Sequence, residues 1–387
     1  MKILITSLPD LKKINLQRPH HIIQYLSERH DVTIISGNAQ IPNPVDDPLV
    51  KNCLKNADYY YLSNNPTNPI IQELQILKII QKNSLNKDPF DIHLNFHSIL
   101  SCYLIQKKLK LPTVMDICDD LLGWISHSPH INPIIRPLGS RISKYILLED
   151  AKHSKKIIFS VKSLQELYEI PESKSEIIPN GVDIGFFSPN NIVEERKFNN
   201  RFCNYTLGFV GFLGDWVDLT PMFDAVSQLK NIIKLKILIV GDGPKLEEFK
   251  KKSREYDLFE DVIFIGNVPY SEIPEFISQM DVCILPFDNS SVSQHALPLK
   301  LFEYMASKKP VISSRIKAVE KTIGNKVLYY SNSNEFKNNL EELYHNKKLM
   351  EEMSIQGHIF VSKKYSWNSI LDTYEKVLID VYNQRET

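Results

Sequence analysis

The sequence lacks three features that would mark other classes of protein. Its five cysteines are scattered and form no Cys-x-x-Cys pair, which argues against a disulfide framework or a zinc site and favours a reducing compartment. Lysine plus arginine equals aspartate plus glutamate, 46 each, so composition gives no general attraction to nucleic acid or to an anionic membrane. No apolar run reaches the roughly 18 residues needed to span a bilayer.

The N-terminal residues also lack the apolar core of a signal peptide. Met1–Ser7 is short and apolar and is typical of a first β-strand. We therefore expect a cytoplasmic protein, with peripheral contact to the inner face of a membrane left open as an alternative.

The chain does contain a regular alternation of short apolar strands and amphipathic, helix-length segments. This pattern predicts an α/β fold with parallel sheets that are covered on both faces. The first half contains seven predicted strands, at 2–7, 31–36, 58–63, 90–95, 112–117, 156–161 and 175–178. The second half contains six, at 205–211, 235–240, 261–265, 281–285, 310–314 and 327–330.

The length of 387 residues favours two domains. A polar stretch, 190–204, separates the two strand series and is the expected linker. We place an N-terminal Rossmann-like domain at 1–188 and a C-terminal one at 189–365, with a cleft between them as the expected ligand site.

The segment 298–306 carries the strongest functional signal of the second half. Lys300 and Glu303 are three residues apart on one face of a predicted helix. A cation at a helix N-terminus suits a diphosphate, and a carboxylate one turn later can accept hydrogen bonds from a ribose diol. The alternative is an amphipathic helix with two surface charges.

Two loops after predicted strands are further candidates for ligand contact. Gly208, Gly211 and Gly214 form a Gly-x-x-Gly-x-x-Gly turn, in which the backbone could approach a ligand or simply turn tightly. The Gly-x-Gly-x-x-Gly dinucleotide fingerprint is not met, which disfavours a nicotinamide oxidoreductase. Asn267 and Val268 follow the next-but-one strand and could meet a nucleobase through their backbone.

The first half carries an acidic cluster and a basic one. Asp116, Asp119 and Asp120 follow the fifth strand, where one of them could act as a general base, with Asp119 preferred. The alternative is a solvated acidic loop. A separate basic group opens the first predicted helix and could face an acceptor, or it could be a cap or surface feature; its members are Arg18, His20 and His21.

Several motifs in order resemble the GT-B-type nucleotide-sugar glycosyltransferases of glycosyltransferase group 1. The motifs are Asn180–Asp183, the glycine turn at 208–214, Gly241–Pro244, Asp281–Phe287 and Pro298–Tyr304. Each is weak alone, but their order and spacing carry the resemblance over essentially the whole chain.

The resemblance implies a donor site in the C-terminal domain, a terminal helix within 366–387 that packs back on the N-terminal domain, and no cofactor or metal. Glu303 matches the second glutamate of the family's Glu-x7-Glu motif and would bind the ribose, with Lys300 and Leu299 near the diphosphate. The acceptor would be a glycan or a lipid-linked glycan, and nucleic acid is not expected as a partner.

The sequence departs from the family pattern at three places. His295 stands where the first glutamate of the motif would contact the donor sugar. The usual histidine after the fifth strand is replaced near Cys118, and Asp215–Asp218 stands where an Arg…Lys pair is common. Retaining and inverting chemistry therefore both stay open, as do two alternatives to transfer: a sugar-nucleotide 2-epimerase and a non-catalytic nucleotide-sugar binding protein.

Overall fold

A computed structural model describes residues 1–38, 47–65, 69–83, 85, 87–123, 136–189 and 205–384. The chain divides into two compact units. The first comprises Met1–Pro179 and Asn368–Thr387, and the second comprises Asn180–Trp367. The predicted linker, 190–204, lies outside the described residues.

The first unit ends earlier than the expected boundary at residue 188. The segment after Pro179 belongs to the second unit because its backbone pairs there. Val182 donates its N–H to the carbonyl of Tyr365 at 2.7 Å, and Trp367 donates to the carbonyl of Val182 at 3.2 Å.

The first unit is built on a parallel seven-stranded sheet of order β3-β2-β1-β4-β5-β6-β7. Its strands are β1 Lys2–Ser7, β2 Asp31–Ser36, β3 Asp58–Tyr61, β4 Ile92–Phe96, β5 Thr113–Ile117, β6 Lys156–Phe159 and β7 Ser175–Ile177. Its helices in this part of the chain are α1 Arg18–Ser27, α2 Pro48–Leu54, α3 Pro69–Gln72, α4 Ile76–Lys82, α5 Leu100–Leu104, α6 Arg136–His153 and α7 Lys162–Leu167.

The second unit contains a parallel six-stranded sheet of order β10-β9-β8-β11-β12-β13. Its strands are β8 Tyr205–Val210, β9 Leu235–Val240, β10 Val262–Gly266, β11 Val282–Leu285, β12 Val311–Ser314 and β13 Leu328–Tyr330. Its helices are α8 Thr220–Leu229, α9 Leu246–Glu255, α10 Ile273–Ser278, α11 Ser291–Gln294, α12 Leu299–Ala306, α13 Lys317–Ile323, α14 Ser333–His345 and α15 Lys347–Lys364. The last helix, α16 Trp367–Asn383, lies almost wholly in the first unit.

The prediction of two Rossmann-like parallel sheets is confirmed, and every predicted strand is present within two residues at each end. Short helices such as α2 and α5 have at most two turns, so they cannot display a full helical repeat of apolar residues in the sequence. No helix in the described ranges is long and apolar enough to cross a membrane.

Parallel order follows from burial on both faces of each sheet. The β1 residues Ile3, Leu4 and Ile5 are fully buried although they point alternately to opposite faces, and β9 is buried in the same way. All carboxyl ends of a parallel sheet lie at one edge, so the loops that follow the strands gather there.

The helix α16 presents one apolar face to the first unit. Six side chains on this face are at most 9% exposed: Ile370, Leu371, Tyr374, Val377, Leu378 and Val381. Polar contacts border it, since the hydroxyl of Tyr25 donates to Asp372 at 2.6 Å and His30 contacts Glu375 at 2.8 Å. The helix is therefore an integral part of the first unit.

This packing yields a stability prediction. Leu378→Ala should lower the free energy of unfolding by about 2–5 kcal/mol, because it removes a fully buried side chain and leaves a cavity. The neighbouring Ile379→Ala is the matched control, since Ile379 is 37% exposed and should cost much less. Urea unfolding, followed by circular dichroism, measures the free energy of unfolding of both variants. Equal losses would show that the buried face of α16 does not stabilise the first unit.

Candidate functional site

Lys300 and Glu303 form a partly buried ion pair in the first turns of α12. The helix follows β11 and α11, and Asn180 fixes the loop before it by donating to the carbonyl of Leu297 at 2.9 Å. The Lys300 ammonium lies 2.9 Å from Oε2 of Glu303, whose side chain is only 2% exposed. The Lys300 side chain is 23% exposed, so the cation can be reached from solvent while the carboxylate is covered.

Aromatic side chains complete this cluster. The hydroxyl of Tyr270 donates to Oε1 of Glu303 at 2.8 Å, and the ammonium of Lys300 lies 5.0 Å from the centre of the Tyr270 ring. The ring of Phe186 stacks on Tyr270 with centroids 5.7 Å apart, and Phe187 meets it edge-on. Both carboxylate oxygens of Glu303 therefore face a polar partner, in a side chain that is almost fully buried.

Tyr270 was missed by sequence reasoning. It stands at the start of a short 3-10 turn, Tyr270–Glu272, just after the predicted nucleobase loop. A tyrosine at the end of that loop was the available signal, because a phenol can donate to a carboxylate from a neighbouring element.

The glycine turn after β8 is shaped by close backbone contact with the loop after β9. Gly211 donates its N–H to the carbonyl of Val240 at 2.9 Å, and Leu213 donates to Asp242 at 3.0 Å. A side chain at Gly241, where φ is 142°, would place its Cβ 1.9 Å from the carbonyl oxygen of Gly211. Backbone packing thus accounts for these glycines, and ligand contact at Gly211 stays a prediction.

The remaining predicted donor residues border the same edge of the sheet. Gly214 lies against the Trp216 ring, where an added Cβ would come within 2.5 Å. Asn267 is exposed and Val268 half-buried, directly after β10. His295 ends α11 and Leu299 begins α12, and both are half-buried.

In the first unit, Arg18 and Asp116 form a buried ion pair. The Nε of Arg18 donates to both carboxylate oxygens at 3.0 and 3.1 Å, Nη2 lies 2.9 Å from Oδ2, and Nη1 donates to the carbonyl of Pro179 at 2.8 Å. Burial lowers the pKa of the guanidinium, but Asp116, Tyr374 and Cys118 together raise it, and the net shift is upward. The geometry assigns both residues to the architecture of the first unit rather than to an acceptor or a proton transfer.

Of the two histidines of α1, His20 is fully buried and His21 is half-buried. Nδ1 of His20 accepts the N–H of Gln17 at 3.0 Å and Nε2 contacts the carbonyl of Leu11 at 2.7 Å, which makes the ring a cap of the helix. Burial lowers the pKa of His20, and burial with the neighbouring His20 lowers the pKa of His21 to about 3. Both rings are therefore neutral at pH 7, and the capping alternative describes His20.

The two adjacent aspartates after β5 face different surroundings. Asp120 is buried and accepts the N–H of Gly123 at 3.0 Å, so it shapes the turn. The Asp119 side chain is 49% exposed and is the accessible carboxylate of the three predicted. Of the acidic cluster, Asp119 alone combines exposure with a position at the carboxyl edge of the sheet.

His97 lies beside Asp119 and Cys118 and was also missed. The strands β4 and β5 pair in register from His93–Thr113 to Phe96–Asp116, which brings the residue after each strand together. Nε2 of His97 is 3.2 Å from Sγ of Cys118 and 4.0 Å from Oδ2 of Asp119. The available signal in the sequence was the position of His97 just after a predicted strand. His97 thus follows β4, the neighbour of β5, at the carboxyl edge of the sheet.

Comparison with known families adds a match in the second unit. Residues 193–359 match the family described as glycosyl transferases group 1. A Bacillus subtilis protein named as a glycosyltransferase of teichuronic acid biosynthesis is 27% identical over 148 residues, 38% of this chain and 36% of that protein. The α-monoglucosyldiacylglycerol synthase of Streptococcus pneumoniae is 25% identical over 180 residues, 44% of this chain and 40% of that protein. The chain thus matches less than half the length of these curated relatives.

Solved structures resemble the chain over nearly its whole length. Sucrose-phosphate synthase from Thermosynechococcus elongatus has a TM-score of 0.78 at 13% identity, covering 99% of this chain and 100% of that one. The Anabaena protein HepE, solved with UDP and glucose, has a TM-score of 0.75 at 15% identity, covering 98% and 99%. These likenesses establish the GT-B fold. Within a chain of that fold, residues 193–359 are thus similar to the group 1 glycosyl transferases.

Proposed function

We propose that this chain transfers a sugar from a nucleotide-diphosphate sugar to an acceptor hydroxyl during assembly of a surface polysaccharide or glycoconjugate. The observation that carries the proposal is the Lys300–Glu303–Tyr270 cluster at the start of α12. The family match over residues 193–359 supports it, as do relatives named for teichuronic acid biosynthesis and glycolipid synthesis.

Donor binding would rearrange this cluster. Lys300 is the more exposed partner and has a flexible stem, so its ammonium can turn from Glu303 to a diphosphate at the helix N-terminus. Oε2 of Glu303 is then released to accept hydrogen bonds from a ribose diol, while Tyr270 keeps holding Oε1. The cation and the helix dipole would neutralise the leaving diphosphate without a metal ion.

The first unit would supply the proton acceptor if the reaction inverts the anomeric carbon. Asp119 can fill this role because it is the exposed carboxylate of its cluster, whereas Asp116 is held by Arg18 and Asp120 by a backbone N–H. An acceptor hydroxyl that attacks the donor sugar would pass its proton to Asp119, and the nucleoside diphosphate would leave. A retaining reaction would not need this base.

An apolar and basic face on α6 supports a lipid-linked acceptor. Leu138, Ile142 and Tyr145 recur at helical spacing and are 61%, 51% and 65% exposed. The exposed side chains of Arg141 and Lys144 border them. A helix with this pattern lies well in the interface of an anionic bilayer, with its apolar side chains among the acyl chains. We propose that the first unit docks there on the cytoplasmic side.

The donor site predicts the effect of two substitutions. Lys300→Ala and Glu303→Gln should each weaken UDP binding by roughly 10-fold or more, because a hydrogen bond to a charged group contributes about 1.5–3 kcal/mol. Isothermal titration calorimetry in EDTA measures the affinity for UDP. The rate of sugar transfer should be the same with and without EDTA, because the proposed site needs no metal ion. Lys348→Ala and Glu352→Gln are matched controls from an exposed pair on α15. Unchanged affinity in both site variants would leave the cluster purely structural.

The proton acceptor predicts a separate loss. Asp119→Asn should lower turnover by roughly 10²–10⁴ while the affinity for the donor is kept, since the amide cannot accept the proton. Glu176→Gln, a first-unit carboxylate with 47% side-chain exposure, is the control. A small loss in Asp119→Asn would favour retaining chemistry. Product formed from the nucleotide sugar without any acceptor would instead identify a 2-epimerase.

The α6 face predicts membrane binding. The chain should sediment with vesicles of phosphatidylglycerol and much less with phosphatidylcholine, because the bordering groups are cationic. Leu138→Ser with Tyr145→Ser should lower the partition coefficient at least roughly 10-fold, since burying such a side chain stabilises by about 1.5–3 kcal/mol. Ile232→Ser, an exposed apolar residue of the second unit, is the control. Equal sedimentation of all three proteins would reject the docking face.

A further inference from the structure

We propose that His97, Cys118 and Asp119 form a zinc-binding site at the carboxyl ends of β4 and β5. Among the described residues, these three side chains offer an imidazole nitrogen, a thiol sulfur and a carboxylate oxygen that lie within 4.8 Å of one another. Nitrogen, sulfur and carboxylate oxygen are the ligand types that Zn²⁺ takes in proteins. No such site was expected from the sequence, because His97 stands 21 residues before Cys118 and is brought beside it only by strand pairing.

Two of the three distances between the ligand atoms are close to those around a tetrahedral ion. Bonds of roughly 2.0–2.3 Å to zinc place neighbouring ligand atoms roughly 3.3–3.6 Å apart. Sγ of Cys118 is 3.2 Å from Nε2 of His97 and 3.6 Å from Oδ2 of Asp119. The third edge, from His97 to Asp119, is 4.0 Å and would shorten by a small rotation of the partly exposed carboxylate. Zn²⁺ would replace the thiol proton, which passes to solvent, and a water would take the fourth position.

The backbone of the site is held in place. His97 has a φ of 62°, a left-handed conformation that is uncommon for a residue with a side chain and turns its ring back from the end of β4. The Oγ of Ser160, just after β6, donates to the carbonyl of Cys118 at 2.9 Å. Glu73 accepts the N–H groups of Ile99 and Ser101 at 2.9 and 2.7 Å, which fixes the loop that follows His97.

One consequence rests on the proposed function. A zinc ion on Asp119 occupies the carboxylate that would take the proton from the acceptor hydroxyl, so zinc and proton transfer exclude each other. Donor activation is assigned to Lys300 in the second unit and needs no ion. Zinc should therefore inhibit transfer as the site fills, without displacing UDP.

The binding test uses the full chain stripped of metal by a chelator and then dialysed. Titration with Zn²⁺ against a chromophoric competitor should give one tight equivalent. Co²⁺ in its place should give the intense near-ultraviolet band of a thiolate-to-cobalt transition and the visible bands of a tetrahedral ion. Less than one equivalent, or a cobalt complex without the thiolate band, would overturn the site.

Variants assign the ligands. Cys118→Ser, His97→Ala and Asp119→Asn should each lower zinc affinity by roughly 100-fold or more, because loss of a group outside the ligand shell already costs roughly 10–100-fold. Cys53→Ala and His153→Ala are controls and should keep both affinity and the cobalt band. Asp119 is exposed enough that its variant should fold normally, which circular dichroism checks. A thiolate band that survives Cys118→Ser but vanishes in Cys203→Ala would place the metal elsewhere and reject the proposal.

The two proposals fail in different ways. Zinc binding without loss of transfer would keep the site and reject Asp119 as the proton acceptor. If no sugar transfer is found at all, the stoichiometry and the cobalt spectrum still decide the metal site. Loss of transfer in parallel with zinc occupancy supports both.

Discussion

The buried ion pair between Arg18 and Asp116 is the interaction on which the first unit most depends. It joins the start of α1 to the end of β5, and Nη1 of Arg18 adds Pro179, the last residue of that segment. The guanidinium also lies 5.6 Å from the centre of the Tyr374 ring on α16. Removing one partner would leave an uncompensated buried charge, which costs about 3–5 kcal/mol.

This pair also decides which carboxylate is available for chemistry. Asp116 is held on both oxygens, so it cannot accept a proton without breaking the pair. Cys118 and Asp119 follow directly after the same strand and lie nearer to solvent. Burial raises the pKa of the Cys118 thiol, with the neighbouring aspartates adding to the shift, so the thiol stays protonated in the metal-free state. The Arg18–Asp116 ion pair fixes the end of β5, and a fixed backbone holds the side chain of Asp119 in a defined position.

Much of the fold could be predicted from the sequence, because the signals for strands and helices lie in neighbouring residues. A strand buried on both faces is a short apolar run between turn residues, and this signal needs no knowledge of its partners. The Lys300–Glu303 pair was equally accessible, because side chains three residues apart on a helix meet.

The rest required three-dimensional pairing. The sequence predicts two different functions for Arg18 and Asp116. In the structure they form one ion pair, although they are 98 residues apart in the chain. The proximity of His97 to the end of β5 follows from the register of β4 against β5. The contact of Tyr270 follows from its hydroxyl, which donates to Glu303 on α12. Helix capping by His20 involves Leu11, which lies outside the helix that the periodicity describes. Contacts of this kind depend on strand order and loop direction, which apolar periodicity does not encode.

The discontinuous first unit has a consequence for folding during synthesis. Residues Asn180–Trp367 form one continuous segment, whereas the first unit needs both Met1–Pro179 and Asn368–Thr387. The part that emerges first from the ribosome therefore lacks α16 until the whole of the second unit has been made, and the apolar surface that α16 covers stays open for that time. The second unit can complete its sheet earlier, although it is made later. A chain that stops before α16 would expose this surface permanently, so the first unit reaches its folded state only after α16 has been added to it.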